Sequence, residues 1–123
     1  MEQYINVGSP KTPVIKFDLI NGFLEIKGRS IPENSIEFYR PLLVAVDNYL
    51  RVVKPITIVT MHLEYSNTNS SKCILDVFKK LANVHRVTSF VSVNWYYEDD
   101  DMLEAGEDYR ALINIPFKMI QVA

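Results

Sequence analysis

Residues 56–76, ITIVTMHLEYSNTNSSKCILD, change from one hydrophobic period to another part-way along. From 56 to 65 the apolar side chains alternate, with Ile56 and Ile58 on one face and Val59, Met61, Leu63 and Tyr65 on the other, which predicts a strand. Apolar residues on both faces at its start predict a central strand covered on both sides. From Ile74 the period becomes helical: Ile74, Val77, Phe78, Leu81 and Val84 share a stripe, and Asp76, Lys79, Lys80 and Asn83 lie opposite. A strand running straight into an amphipathic helix is half of a strand–helix–strand unit, whose repetition builds a parallel sheet. Between the two stands Asn67-Thr68-Asn69-Ser70-Ser71, three hydroxyls and two amides where a helix needs one cap.

The unit repeats downstream. Residues 90–97 (FVSVNWYY) predict a strand burying Val91, Val93, Trp95 and Tyr97. A helix opened by Glu98-Asp99-Asp100-Asp101 turns Met102, Ala105, Tyr109 and Leu112 inward, and 117–122 (FKMIQV) close the chain as a strand. Upstream, 14–19 and 23–27 flank Asn21-Gly22, a dipeptide that tolerates the positive φ of a tight turn, so they predict a β-hairpin. Ser30-Ile31-Pro32-Glu33 fits a capping box. Ile36, Tyr39, Leu43, Val46, Leu50 and Val53 then mark a helix, which Pro41 is expected to kink or split near Tyr39-Arg40. The predicted order is ββαβαβαβ: an α/β fold with a mixed, mostly parallel sheet of about five strands and three main helices, as one domain over 1–123.

Composition narrows the function. The chain has 123 residues, a net charge of −2 and 48% apolar residues, ordinary values for a globular protein and not those of a duplex-binding or polybasic surface. Met1-Glu2 leads into no apolar leader and no long apolar run follows, which points to the cytoplasm. A single cysteine, Cys73, and two histidines, His62 and His85, give no disulfide and no zinc spacing.

In sheets of this kind the loops leaving the strands' carboxyl ends meet ligands and partners. Three qualify: Gly28–Asn34, Ser66–Ser71 and Glu98–Asp101. The polar run should therefore lie between Arg29 and four carboxylates. As a phosphate cradle it lacks the glycines that let backbone close on a nucleotide. As a nucleophile it lacks a base, since His62 precedes it in the strand and His85 lies roughly 22 Å along the helix. Cys73, in the first helical turn, is placed for a lowered thiol pKa but has no evident partner. Capping by one of Asn67, Thr68, Asn69 or Ser70 accounts for a single residue of the run. The acidic run 98–101 lacks the spacing of a calcium loop and suits the first turn of a helix without any ligand.

Four segments carry a resemblance: GRSIPENSIEFYRPLL (28–43), LEYSNTNSSKCILD (63–76), VNWYYEDDDMLEAGEDY (93–109) and PFKMI (116–120). Together they resemble the SiaC family of bacterial regulatory phosphoproteins over nearly the whole chain. The resemblance implies a STAS-like fold, no enzymatic activity and no cofactor. It implies a switch in which a serine/threonine kinase phosphorylates the protein and a PP2C-type phosphatase reverses this. The unphosphorylated form would bind and activate a GGDEF diguanylate cyclase, placing the protein in c-di-GMP signalling and biofilm formation or aggregation. The family's acceptor threonine, in its NTxSSK motif, falls on Thr68, with Ser70 and Ser71 as alternatives. Two departures stand out: Ser66 where the family usually has an aromatic residue, and Val44-Ala45-Val46 where a tryptophan is common.

The expected switch surface comprises Arg29, Asn67, Asn69, Ser71, Lys72, Asp99 and Asp100. Two rivals remain at this point: a small enzyme or metal-binding protein using the acidic loop 98–101, and a binding module whose Thr68 is never modified.

Overall fold

A computed structural model describes residues 1–122. In chain order the elements are β1 (Gln3–Asn6), β2 (Val14–Asp18), β3 (Phe23–Ser30), α1 (Ser35–Arg51), β4 (Ile56–Ser66), α2 (Thr68–Ala82), β5 (Phe90–Tyr97), α3 (Asp100–Leu112) and β6 (Phe117–Gln121). The strands form a single six-stranded sheet in sequence order. β1, β2 and β3 pair antiparallel, and β3 through β6 pair parallel. The expected α/β class and mixed sheet are present, with six strands rather than five. The extra strand, Gln3-Tyr4-Ile5-Asn6, is too short to show an alternation of its own and is a strand because β2 supplies its hydrogen bonds.

Because the strands advance in one direction across the sheet, crossovers of one hand lay all three helices on the same face. That face holds the core: Ile15, Phe17, Leu24, Ile26, Val59, Met61, Val91, Val93 and Trp95 are buried there. The opposite face is open, which corrects the expectation of a strand covered on both sides: Ile56 is 60% exposed and Ile58 half-buried. Tyr65 is also not inward. The pairing slips between Gly28↔Leu63 and Arg29↔Tyr65, leaving Glu64 as an extra residue in β4. This bulge turns Tyr65 to the outer face, where Arg29 lies 5.9 Å from its ring centroid. Gly28, at φ 121, takes the backbone conformation required opposite it.

Three further expectations change. Ser30 ends β3 instead of capping α1; Asn34 caps it, its side chain accepting from the Glu37 amide. The helix runs unbroken through Pro41, because Glu37 and Pro41 are both exposed and water can take the carbonyl that proline leaves free. Its buried face is Ser35, Tyr39, Leu42, Ala45, Val46 and Tyr49, rotated from the expected stripe, with Ile36 67% exposed. In α3, Met102 and Tyr109 are inward but Leu112 is outward.

Trp95 fixes α3 to the sheet. It is fully buried, and its indole nitrogen donates to the Met102 carbonyl at 2.8 Å. Gly106 lies flat against the ring: a Cβ there would stand 2.5 Å from Trp95 carbon and nitrogen atoms. Gly106→Ala should therefore lower unfolding free energy by about 1–3 kcal/mol through overpacking. Chemical denaturation against the exposed control Ala111→Ser measures this, and equal stability would mean that α3 is not clamped to Trp95.

Candidate functional site

The polar run sits where β4 hands over to α2, and its five residues divide the work. Asn67 is the N-cap: its side chain accepts from the Ser70 amide at 2.8 Å and its backbone amide donates to the Ser30 carbonyl at 3.0 Å. Asn67 thus ties the first turn of α2 to the end of β3. Ser70 points inward and is fully buried. Tyr39 hydroxyl donates to Ser30 (2.6 Å), Ser30 donates to Ser70 (2.8 Å), and Ser35 lies 3.3 Å from Ser70. This network joins β3, α1 and α2 beneath the loop. Among the described residues no buried side-chain nitrogen or oxygen lacks a partner, so the polar cluster is stabilising rather than costly. Burial pushes the Tyr39 phenol well above its ordinary range, which keeps it a neutral donor.

Ser71 is half-buried. Its hydroxyl donates to the Asn67 carbonyl at 3.1 Å and lies 3.1 Å from the Ser66 hydroxyl. Its own carbonyl accepts from the Tyr109 hydroxyl at 3.0 Å, which ties the first turn of α2 to α3. Burial pushes the Tyr109 phenol from 10.0 up to about 12. Thr68 and Asn69 remain exposed at the start of the helix. Thr68 forms one end of a cleft of about 260 Å³ between α2 and α3, together with Lys72, Leu75, Ala105 and Asp108. Asn69 and Lys72 also line a groove between α2 and the start of α1.

The expected neighbours of the run are only partly those observed. Arg29 is beside it, on the adjacent strand next to the Ser30↔Ser66 pair, but on the outer face with Tyr65. The carboxylate sharing the Thr68 cleft is Asp108, not one of 98–101. Asp99 caps α3 by accepting from the Met102 amide at 2.9 Å, Asp100 and Asp101 occupy the first turn, and Glu98 lies 3.2 Å from His62. These carboxylates therefore have local work, and among the described residues no three His, Cys, Asp or Glu side chains converge to hold a metal ion. His85, at the far end of α2, accepts from the Val91 amide. Cys73 contradicts the expectation of a lowered thiol pKa: burial, followed by nearby Asp76, pushes it up. Because α2 starts at Thr68, Cys73 lies past the first turn and its side chain faces the core, so the helix N-terminus does not lower its pKa.

Sequence reasoning missed Ser30, Ser35, Tyr39 and Tyr109 as parts of the site. Tyr39 and Tyr109 read as core because their spacing is that of a buried stripe, and their hydroxyl partners are fixed only by the fold.

Comparison with known proteins follows this geometry. The family described as "SiaC family regulatory phosphoprotein" matches residues 7–122. A Pseudomonas aeruginosa protein without an assigned function is 30% identical over 112 residues, 89% of either chain. The crystal structure of apo-SiaC from Pseudomonas aeruginosa matches with a TM-score of 0.90 at 29% identity, covering 98% of this chain and 99% of that one. A chain from the crystal structure of the diguanylate cyclase SiaD in complex with its activator SiaC, from the same organism, matches with a TM-score of 0.89 at 28% identity, covering 97% and 99%.

The division between Thr68 and Ser70 has a measurable consequence. Thr68→Asp places a carboxylate at an exposed helix N-terminus and should leave stability unchanged or raise it by about 0.3–1 kcal/mol. Ser70→Asp buries an unpaired charge and should cost about 3 kcal/mol or more. Equal melting temperatures for the two variants would contradict the placement of Ser70. Tyr109 adds a pH signature. Its folded pKa lies above the unfolded one, so the associated stability is complete below about pH 10 and lost as pH rises towards about 12. Tyr109→Phe should flatten that alkaline loss in a pH series of denaturation curves.

Proposed function

The chain belongs to the SiaC family of regulatory phosphoproteins, and we propose on that basis that it is a switch set by reversible phosphorylation of Thr68. A serine/threonine kinase adds the phosphate and a PP2C-type phosphatase removes it. The unphosphorylated protein binds and activates a GGDEF diguanylate cyclase, as SiaC is the activator of SiaD in the solved complex. The work is done in the cytoplasm, through c-di-GMP and so biofilm formation or aggregation. No helix among the described residues is long and apolar enough to cross a membrane. The family is one of regulators, and the non-enzymatic role rests on that membership.

The observation that carries the choice of residue is the exposure pattern of the run. Ser70 is buried and bonded, Ser71 is half-buried and bonded, and Thr68 is on the surface. Asn69 and Lys72 share that surface and face the partner with it. Asn67 and Ser71 serve it from beneath by holding the turn. Arg29, on the outer face of the sheet, and Asp100, in the first turn of α3, complete the proposed surface, and Asp99 holds the start of α3.

The effect of the phosphate follows from charge. It adds roughly −1.5 to −2 and three acceptors at a helix N-terminus. The first turn of α2 carries no acidic residue, so the fold itself tolerates the group. A partner docked over Thr68 does not, because burying an unpaired dianion costs several kcal/mol and about 2.7 kcal/mol is already a hundredfold in affinity. Phosphorylation thus breaks the complex without unfolding the domain.

Phosphopeptide mapping of protein from the native host should find one phosphate, on Thr68. Thr68→Ala should bind and activate the cyclase without responding to the kinase, and Thr68→Asp should bind about a hundredfold more weakly. Equal binding by both variants, or a phosphate on a different residue, would defeat the assignment.

A further inference from the structure

Thr68 and Lys72 are one helical turn apart on α2, a spacing that brings their Cβ atoms within about 5–6 Å. Both line the cleft that α3 closes from the other side with Ala105, Asp108 and Tyr109. Neither Lys72 nor Asp108 belongs to an ion pair among the described residues. One uncommitted cation and one uncommitted anion therefore face the same space, beside the hydroxyl that takes the phosphate. That space measures about 260 Å³, where a water in the liquid occupies about 30 Å³, so a phosphate and part of its hydration fit.

We propose that the phosphate of phosphorylated Thr68 is held in cis within the α2–α3 cleft, paired with Lys72 and opposed by Asp108. This rests on Thr68 being the acceptor, and it adds how the modification is read. Among the described residues Lys72 is the only charge-compensating group lining the cleft, and at the i, i+4 position it reaches the phosphate without any backbone change. Asp108 repels the dianion from the α3 side and limits the strength of the pair. Tyr109 does not compete for either charge: its hydroxyl donates to the Ser71 carbonyl and stays neutral at the pH where phosphate titrates.

Seated there, the phosphate fills the Thr68 end of the cleft, next to the apolar strip of Leu75 and Ala105. The cleft is then closed to a partner's side chain by the protein's own modification. The switch works by occlusion, with Lys72 as the latch, and an exposed phosphate that merely repels a partner is the alternative.

The test installs phosphothreonine at position 68 by genetic encoding, so no kinase is needed, and follows its second ionisation by ³¹P NMR. A free phosphothreonine titrates near about pH 6. A nearby cation favours the dianion and a nearby anion disfavours it. Lys72→Met should raise the midpoint by about 0.5, an about threefold change in proton affinity, and Asp108→Asn should lower it by a similar amount. Lys79→Met, on α2 but outside the cleft, should leave it unchanged. All these positions are exposed, so the fold survives the substitutions. A Lys72→Met midpoint equal to that of Lys79→Met, or no response to Asp108→Asn, would place the phosphate outside the cleft and overturn the proposal. Because the phosphate is installed by genetic encoding, the titration stands or falls independently of which residue a kinase selects.

Discussion

The hydrogen bond between Ser30 and Ser70 joins positions forty apart in sequence and sets the geometry of everything above it. It is possible only because of the bulge in β4. Without the extra residue at Glu64, the pairing of β3 and β4 would put Ser66 on the outer face, and α2 would start from the wrong side of the sheet. With it, Ser66 and Ser30 pair on the inner face, the Asn67 amide reaches the Ser30 carbonyl, and Ser70 drops into the space between Ser30 and Ser35. Asn67 is then held through its amide, its side chain and its carbonyl. The residue that follows, Thr68, has little conformational freedom left at its backbone.

That rigidity matters for a modification site. A flexible loop can absorb a new dianion by moving, so the charge has little to act on. Here the turn is bonded to β3 below and to α3 through Tyr109, so a phosphate on the proposed acceptor would enter surroundings that are already fixed. The stabilisation lies in neutral hydroxyl bonds of roughly 1 kcal/mol each rather than in ion pairs. Neutral donors and acceptors depend less on a nearby charge than ion pairs do, so the support of the turn would outlast the proposed modification of Thr68. The ion pairs of the molecule, such as Asp47 with Lys80, lie elsewhere on exposed surface and contribute little.

Much of the fold was legible because period and punctuation agree: the Asn21-Gly22 turn, the stripe of α2, and the β5–α3–β6 sequence all read correctly. The errors at Ile56, Ile58 and Tyr65 share one cause, which is that hydrophobic pattern reports burial without saying what does the burying. Ile56 and Ile58 read as covered because they are apolar, yet one-sided crossovers leave their face open. Tyr65 read as inward because alternation has no way to count a bulge. Ser30 read as a cap from the Ser-x-x-Glu spacing, whereas the buried partners Tyr39 and Ser70 claim its hydroxyl. At the site, the run 67–71 was recognisable as excessive for capping. Which hydroxyl faces water depends on the register of β4 and could not be read locally.

The two departures from the resembled family acquire physical meaning in this setting. Where the family carries an aromatic residue before the Asn-Thr pair, Ser66 is half-buried and its hydroxyl lies 3.1 Å from that of Ser71. That contact is polar and directed at the first turn of α2. The second departure falls on α1, where Ala45 and Val46 are fully buried against the sheet and Val44 is 49% exposed. A tryptophan at 45 or 46 would overfill a core that leaves those two side chains no accessible surface, whereas at 44 it would stand on the solvent face. Val44 is therefore the one of the three positions at which a larger apolar side chain fits without disturbing the core.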